Sequence, residues 1–282
     1  VKPNQFAARV RERALELAAS SDRPQEGHGV TLAPLNRTIE ADALRYGNVT
    51  VEIDRSKRTA TFTVKAPTGA QPKTLAEIEA AGANWYPLVL ARELEDAILS
   101  MRTNELDIGT WLIKTQGDAD AVLATDAVLA EHKGNWFVRE TIGLLRRTFS
   151  RLDVSSRSLI ALIEEGSCFA GRFLELALAC DRSYMLALSN EPAKSPKIAV
   201  GELNFGTFPM ATDQSRLARR FYEEAAPLQA VRAKVGQALN ASEALALGLV
   251  TSTPDDLDWA DETRVAIEER VVMSPDPLTR ME

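Results

Sequence analysis

The chain has 282 residues, of which 45% are hydrophobic and 26% charged, and its formal net charge is -7 at pH 7. This composition is ordinary for a globular protein with room for a substantial core. The negative charge argues against a nucleic-acid partner, and no apolar run approaches the roughly 18 residues of a membrane span. Cys168 and Cys180 both stand among apolar residues, which is typical of reduced thiols in a cytoplasmic protein.

Residues 1–44 are predicted to be the tail helix of a preceding module followed by a linker. Phe6, Val10, Ala14 and Leu17 form one stripe of an amphipathic helix, and a Pro-, Gly- and polar-rich stretch follows it. The chain starts without Met and ends on PDPLTRME. We therefore expect a fragment of a longer protein, with a core at 45–255 and a truncated helical segment at 256–282.

Strands and helices alternate through the predicted core. Apolar residues alternate with polar ones in NVTVEIDRSKRTATFTVKAP, which predicts a β-hairpin. Apolar residues recur at helical spacing in WYPLVLARELEDAILSMRTNE, which predicts an amphipathic helix. IGTWLIKTQG and SLIALIEEG are predicted strands on either side of a mostly helical stretch at 118–156. Because these strands are apolar on both faces, the pattern favours an α/β fold with a sheet covered by helices.

Further elements follow towards the end of the chain. FLELALACD is predicted to be a helix, RSYMLAL a strand, KIAVGELNFGTFP a loop with a strand, and QSRLARRFYEEA a helix. In LNASEALALGLV, Ser242 is the predicted N-cap of a helix that stops at Gly248.

Glu175 stands in FLELALAC with apolar residues on every side. An unpaired buried charge costs several kcal/mol, so this carboxylate is exposed, paired or kept for chemistry. The preceding EEGSCFAGRF has the strand, glycine turn and helix order of an anion or oxyanion binder, with Gly171 before the helix. Glu202 is a second carboxylate among apolar residues, and two such groups can share a water in acid–base chemistry. Solvated glutamates are the plainer alternative.

Other catalytic and metal-binding patterns are missing from the sequence. His28 and His132 have no G-x-S-x-G motif to accompany them, and His132 is predicted to be a surface residue. No His and Cys cluster has metal-ligand spacing, and neither a P-loop nor a G-x-G-x-x-G motif occurs. We therefore expect no metal.

Three motifs together resemble a known family. IALIEEGSCFAGRFLELALACDRSYM, GELNFGTFPMATDQSRL and LNASEALALGLV occur in this order. Over about residues 45–255 the chain resembles the crotonase (enoyl-CoA hydratase/isomerase) superfamily. The resemblance implies a crotonase/ClpP-like ββα superhelix with C-terminal helices. It also implies an acyl-CoA thioester substrate, no cofactor beyond the CoA of that substrate, and a homo-oligomer.

The resemblance assigns roles to individual positions. Glu175 matches the first catalytic glutamate of the family, and Glu202 matches the second, four residues before Gly206. In hydratases of this family the pair holds and activates water. On this interpretation Glu175 faces a closed reaction chamber rather than stabilising the fold.

The same resemblance implies an oxyanion hole made of two backbone N–H groups. The family has three glycines where this chain has Ala170-Gly171-Arg172, so the donor on this side is Gly171 or Arg172. LATDAV occupies the place of the family's second strand-end motif. The resemblance therefore implies the amide of Thr125 as the other donor, with the amide of Ala124 as the next candidate.

Two segments, at 66–87 and 130–152, are longer than in a plain hydratase. They resemble an atypical branch that opens the ring of an aryl-CoA thioester, 2,3-epoxybenzoyl-CoA, in benzoate degradation and releases formate and a semialdehyde. On this interpretation Arg172, Ala124, Trp136 and Phe137 bind substrate, although the aromatic pair is more often core packing. An ordinary enoyl-CoA hydratase and a non-catalytic CoA-ester-binding module are the alternatives.

Overall fold

The computed structural model describes residues 1–22, 27 and 29–274. Residues cluster into two compact units, Val1–Leu32 and Ala33–Glu282. The first unit contains helix α1 (Pro3–Ala19), which begins with a proline in its first turn. The predicted N-terminal helix is thus confirmed, and its apolar stripe, including Phe6 and Val10, is exposed to solvent.

The second unit is built on a seven-stranded sheet whose strands lie in chain order. They are β1 (Thr38–Ile39), β2 (Ala43–Arg45), β3 (Val49–Asp54), β4 (Thr59–Lys65), β5 (Thr110–Gln116), β6 (Ser158–Ile163) and β7 (Arg182–Met185). Strands β1 to β4 are antiparallel to one another, and β4 to β7 run parallel. The sequence assigned residues 33–44 to a linker, whereas here they belong to the second unit and contribute β1 and most of β2.

Hydrophobic periodicity explains the antiparallel part of the sheet. In β3, Val49, Val51 and Ile53 are buried and alternate with less buried positions, and Val51 pairs with Phe62 of β4. This is the predicted hairpin. Strand β6 is buried at all six positions, since it lies in the parallel part of the sheet and is covered on both faces.

Four helices connect the parallel strands β4, β5 and β6. They are α2 (Leu75–Ala81) and α3 (Tyr86–Asn104) after β4, and α4 (Ala119–Glu131) and α5 (Trp136–Asp153) after β5. Helix α2 begins in a capping box, in which the Thr74 side chain accepts the Glu77 amide and the Glu77 carboxylate accepts the Thr74 amide. The helical character predicted for 85–105 and for 118–156 is confirmed.

The remaining elements are short until the last helix. They are α6 (Leu174–Leu178), β8 (Ile198–Ala199), α7 (Arg216–Arg220), α8 (Ala225–Arg232), β9 (Ala238–Leu239), α9 (Ala241–Ala246) and α10 (Trp259–Val271). Asn240, not Ser242, caps α9, because its side chain accepts the Glu243 amide while Glu243 reaches back. Of the predicted C-terminal segment, residues 275–282 lie outside the described residues.

The last helix packs onto a hydrophobic cluster at the parallel strands. Ala266 of α10 packs with Leu112, Ile160, Leu162 and Tyr184, so this helix covers the parallel strands. Among the described residues, no helix has both the length and the apolar character needed to cross a bilayer.

The buried centre of the sheet generates a stability prediction. Ile113 in β5 is 2% exposed, whereas Ile39 in the edge strand β1 is 63% exposed. We expect Ile113→Ala to lower the free energy of unfolding by about 2–5 kcal/mol, because it leaves a cavity. The matched Ile39→Ala change should cost less than about 0.5 kcal/mol. Urea denaturation of both variants checks this, and equal losses would contradict the described core.

Candidate active site

A tight glycine turn lies between β6 and α6. Gly171 has φ of 49°, in the left-handed region, and opens a 3-10 turn (Gly171–Phe173) that leads into α6. A Cβ at Gly171 would collide with the Asp126 carboxylate. A Cβ at Gly201 would lie 3.0 Å from the Gly171 Cα, so both positions need glycine for close approach.

The Arg172 amide in this turn donates to a carboxylate oxygen. Its N–H donates to Asp126 Oδ2 at 2.6 Å, and its guanidinium forms an ion pair with the same carboxylate. Arg172 Nη1 also donates to Thr125 Oγ1 at 2.9 Å. Of the two donors that the sequence left open, it is the Arg172 amide that donates to a carboxylate oxygen. The Arg172 side chain, predicted to bind substrate, is fully buried in this pair.

The predicted oxyanion donor at Thr125 is wrong. Strand β5 ends at Gln116, and Thr125 lies well inside α4, where backbone N–H groups have partners within the helix. Ala124, one residue earlier in the same helix, is exposed. The residues that follow the strand directly are Gly117 and Asp118, so the sequence motif was assigned to a helix instead of a strand end.

Glu175 is buried and fully paired. It is 1% exposed, and its Oε1 accepts from Asn204 Nδ2 at 2.7 Å. Its Oε2 accepts from Arg216 Nη1 at 2.7 Å. Arg216 also donates to both oxygens of Asp153, at 3.0 and 2.7 Å. The expectation that Glu175 faces a reaction chamber is not met here, since both of its oxygens are occupied by protein donors.

Two carboxylates thus share one guanidinium in a buried cluster. Burial raises the pKa of Glu175 above its usual value, and the opposing effect of Arg216 does not cancel this. Burial likewise raises the pKa of Asp153. Because one positive charge faces two negative groups in a desolvated place, each carboxylate takes up a proton more readily than it would in water.

Glu202 lies on the surface, apart from Glu175. Its side chain is 67% exposed and lies 3.4 Å from Arg232 Nη1. Arg232 in turn lies over the Phe205 ring at 3.9 Å. Glu202 and Asn204 belong to the same 3-10 turn (Glu202–Asn204), but it is Asn204 that is buried and reaches Glu175. Among the described contacts, the two glutamates share no partner.

The remaining predicted positions lie at the ends of helices. Trp136, at the start of α5, is 42% exposed, and Phe137 is buried against Trp85 at 5.5 Å between ring centroids. Phe137 therefore belongs to core packing, the alternative that the sequence offered. His132 Nε2 lies 2.9 Å from the Lys73 carbonyl oxygen. His28 lies outside the described residues, and among those described no group of three or more His, Cys, Asp or Glu could hold a metal ion.

Four residues of the site were not identified from the sequence. They are Asp126, Asp153, Asn204 and Arg216. Asp126 carried a usable signal, because it stands between Thr125 and Ala127 in a helix whose other residues are mostly apolar. The test that singled out Glu175, a carboxylate in apolar company, applies equally to it. Arg216 offered no such signal, since its helix contains several arginines.

Comparison with known sequences found a similar protein. No family model matches the sequence. Over its whole length the chain is 55% identical to a benzoyl-CoA-dihydrodiol lyase of Aromatoleum evansii, and it spans 50% of that protein.

Solved structures show the fold. An enoyl-CoA hydratase from Bacillus halodurans matches with a TM-score of 0.56 and 16% identity, over 83% of this chain and 84% of that chain. A human mitochondrial delta3-delta2-enoyl-CoA isomerase matches with a TM-score of 0.55 and 15% identity, over 83% of this chain and 81% of that chain. The predicted resemblance and the predicted α/β fold are both confirmed.

The shared guanidinium generates a second stability prediction. Arg216→Met would leave Asp153 and Glu175 buried without a cation, and we expect a loss of about 3–5 kcal/mol in the free energy of unfolding. The matched Arg232→Met change breaks an exposed pair and should cost about 1 kcal/mol or less. Chemical denaturation measures both, and a mild effect of Arg216→Met would contradict the described pairing.

The raised pKa of Glu175 generates a prediction about pH. Glu175 takes up a proton more readily in the folded state than in the unfolded state. Protonation of Glu175 therefore stabilises the fold at low pH, and this stabilisation is lost as the pH rises through the folded pKa. As the pH falls from 7 towards about 4.5, the wild-type protein should gain stability relative to Glu175→Gln. Denaturation curves at several pH values measure this difference. A difference that shrinks on acidification would contradict the raised pKa.

Proposed function

We propose that this chain, which has the crotonase fold and resembles half of a known lyase, is part of a lyase that acts on a CoA thioester. The support is its 55% identity over 282 residues to benzoyl-CoA-dihydrodiol lyase. The fold of enoyl-CoA hydratases and isomerases adds to it. A cytoplasmic homo-oligomer is part of the same proposal.

One geometric observation carries the proposal to this site. The Arg172 amide, in a buried turn opened by Gly171, donates to a carboxylate oxygen at 2.6 Å. A thioester oxygen gains negative charge in the transition state, and a preorganised N–H at about 2.7–3.1 Å stabilises it. The turn therefore has the donor that thioester chemistry needs, although Asp126 now occupies it.

The reaction we propose is the ring opening of 2,3-epoxybenzoyl-CoA. One water adds to the epoxide, and a second hydration with carbon–carbon cleavage releases formate and leaves an open-chain semialdehyde on CoA. The long segments noted in the sequence support this over a plain hydratase, since they contain helix α2 and most of α5, whose last residue, Asp153, pairs with Arg216. The proposed route is aerobic benzoate degradation.

In this proposal Glu175 and Glu202 hold and activate water. Both would have to change partners first, because Glu175 is bound to Arg216 and Asn204, and Glu202 is turned to the surface. The raised pKa of Glu175 suits a general acid or base once the contact with Arg216 is released.

A second candidate is that this segment supports catalysis elsewhere in the longer protein. The observation that favours it is the self-occupied site, in which Asp126 fills the donor at Arg172 and Arg216 fills Glu175. On this candidate the chain is a crotonase-like module that does not itself turn over substrate.

The test is turnover by the full-length protein, with formate assayed from 2,3-epoxybenzoyl-CoA beside a crotonyl-CoA control. We expect formate release without hydration of crotonyl-CoA. Hydration of crotonyl-CoA alone would indicate an ordinary hydratase and contradict the proposed reaction.

Two variants decide whether this site performs the reaction. Glu202→Gln breaks only an exposed pair, so its folding should be unchanged, and we expect kcat to fall at least a hundredfold if Glu202 handles water. Glu268→Gln, which also removes an exposed partner of arginine, is the matched control and should keep full activity. Normal turnover of Glu202→Gln and of folded Glu175→Gln would favour the supporting role.

A further inference from the structure

We infer that helix α4 is a displaceable plug, in which the Asp126 carboxylate holds the place of the thioester oxygen until an acyl-CoA replaces it. The inference rests on the proposed function, because it describes the regulation of that same site. It makes the closed arrangement a resting state of the site.

The first support is that Asp126 binds the turn as an oxyanion would. One oxygen, Oδ2, accepts the Arg172 amide at 2.6 Å, and the other, Oδ1, pairs with the Arg172 guanidinium. A carboxylate oxygen carries the negative charge that a thioester oxygen develops, so both kinds of oxygen compete for the same donor.

The second support is that Asp126 leaves the arginine incompletely satisfied. Within the described part of the chain, Arg172 Nε and Nη2 are buried and find no hydrogen-bond acceptor. A buried donor without a partner is destabilising, because it has lost its hydrogen bonds to water. A ligand that brings further oxygens can satisfy these groups, which favours exchange of Asp126 for the ligand.

The third support concerns the two ends of helix α4. Gly117, with φ of 127°, precedes the N-cap Asp118 of α4, and Gly134 follows its last turn. Ala124 and Ala127 on the outer side of α4 are exposed, so little packs over the helix from outside. Small residues beside the ends of an element are common hinge positions, so these two glycines are the places where a rigid-body shift of α4 would turn.

The fourth support is the cost of holding Asp126 in place. Burial raises the pKa of Asp126 above its usual value, even though Arg172 opposes this. The closed state therefore carries a desolvation penalty that is relieved when α4 moves into solvent.

Leu123→Ala is the variant that tests the plug. The Leu123 side chain packs close to the turn, since a Cβ at Gly171 would lie 3.3 Å from its Cδ2. Shortening it weakens the contact of α4 while leaving the ion pair intact, whereas Asp126→Ala would strand Arg172 and risk unfolding. Val128→Ala, at a half-buried position on another side of α4, is the matched control.

The experiment is amide hydrogen exchange on the full-length protein with and without benzoyl-CoA. Saturating benzoyl-CoA should speed exchange at 119–131 at least tenfold and slow it at 167–174. Leu123→Ala should speed exchange at 119–131 without ligand and lower the benzoyl-CoA concentration needed for the effect about tenfold. Val128→Ala should lower that concentration by less than twofold.

The outcomes separate the plug from the lyase activity. If benzoyl-CoA leaves the amide exchange rate at 119–131 unchanged in both the wild type and Leu123→Ala, the plug is overturned, even if formate is released. Failure of both proteins to bind benzoyl-CoA would overturn it as well. Opening of α4 by benzoyl-CoA without formate release from 2,3-epoxybenzoyl-CoA would support the plug and count against the proposed lyase.

Discussion

The guanidinium of Arg216, buried between Asp153 and Glu175, is the interaction on which the candidate site depends. It joins the end of α5 to α6 and α7, and the described contacts give Glu175 no other positive partner. A carboxylate as buried as Glu175 is stable in its charged form only beside such a partner. Arg216 therefore fixes the positions of Asp153 and Glu175. Glu175 must leave this pair before it can take part in chemistry.

Arg172 and Asp126 form a second buried pair of an arginine and a carboxylate. In both places a buried acid meets a buried arginine, so the groups that we propose for thioester binding are occupied by the protein's own side chains. The sequence motifs alone do not distinguish an occupied site from an open one. What distinguishes them is the partner of each donor, and that partner lies far away along the chain.

Local patterns predicted most of the architecture. The hairpin around Val51, the long helix α3 and the buried strand β6 follow from periodicity, which depends on neighbouring residues only. The turn at Gly171 was also predicted, whereas for Glu175 the sequence left exposure, pairing and a chemical role open. Its partners were not predicted, because Arg216 lies 41 residues from Glu175 in the chain. The donor at Thr125 failed for a local reason, since LATDAV is helical and the strand ends earlier.

A double-mutant cycle between Glu175 and Arg216 tests the central claim most directly. The free energy of unfolding is measured for the wild type, Glu175→Gln, Arg216→Met and the double variant. Since each residue is the buried partner of the other, we expect a coupling energy of about 2–3 kcal/mol, with the double variant less damaged than the sum of the single changes. A coupling below about 0.5 kcal/mol would mean that the two act independently and would contradict the account.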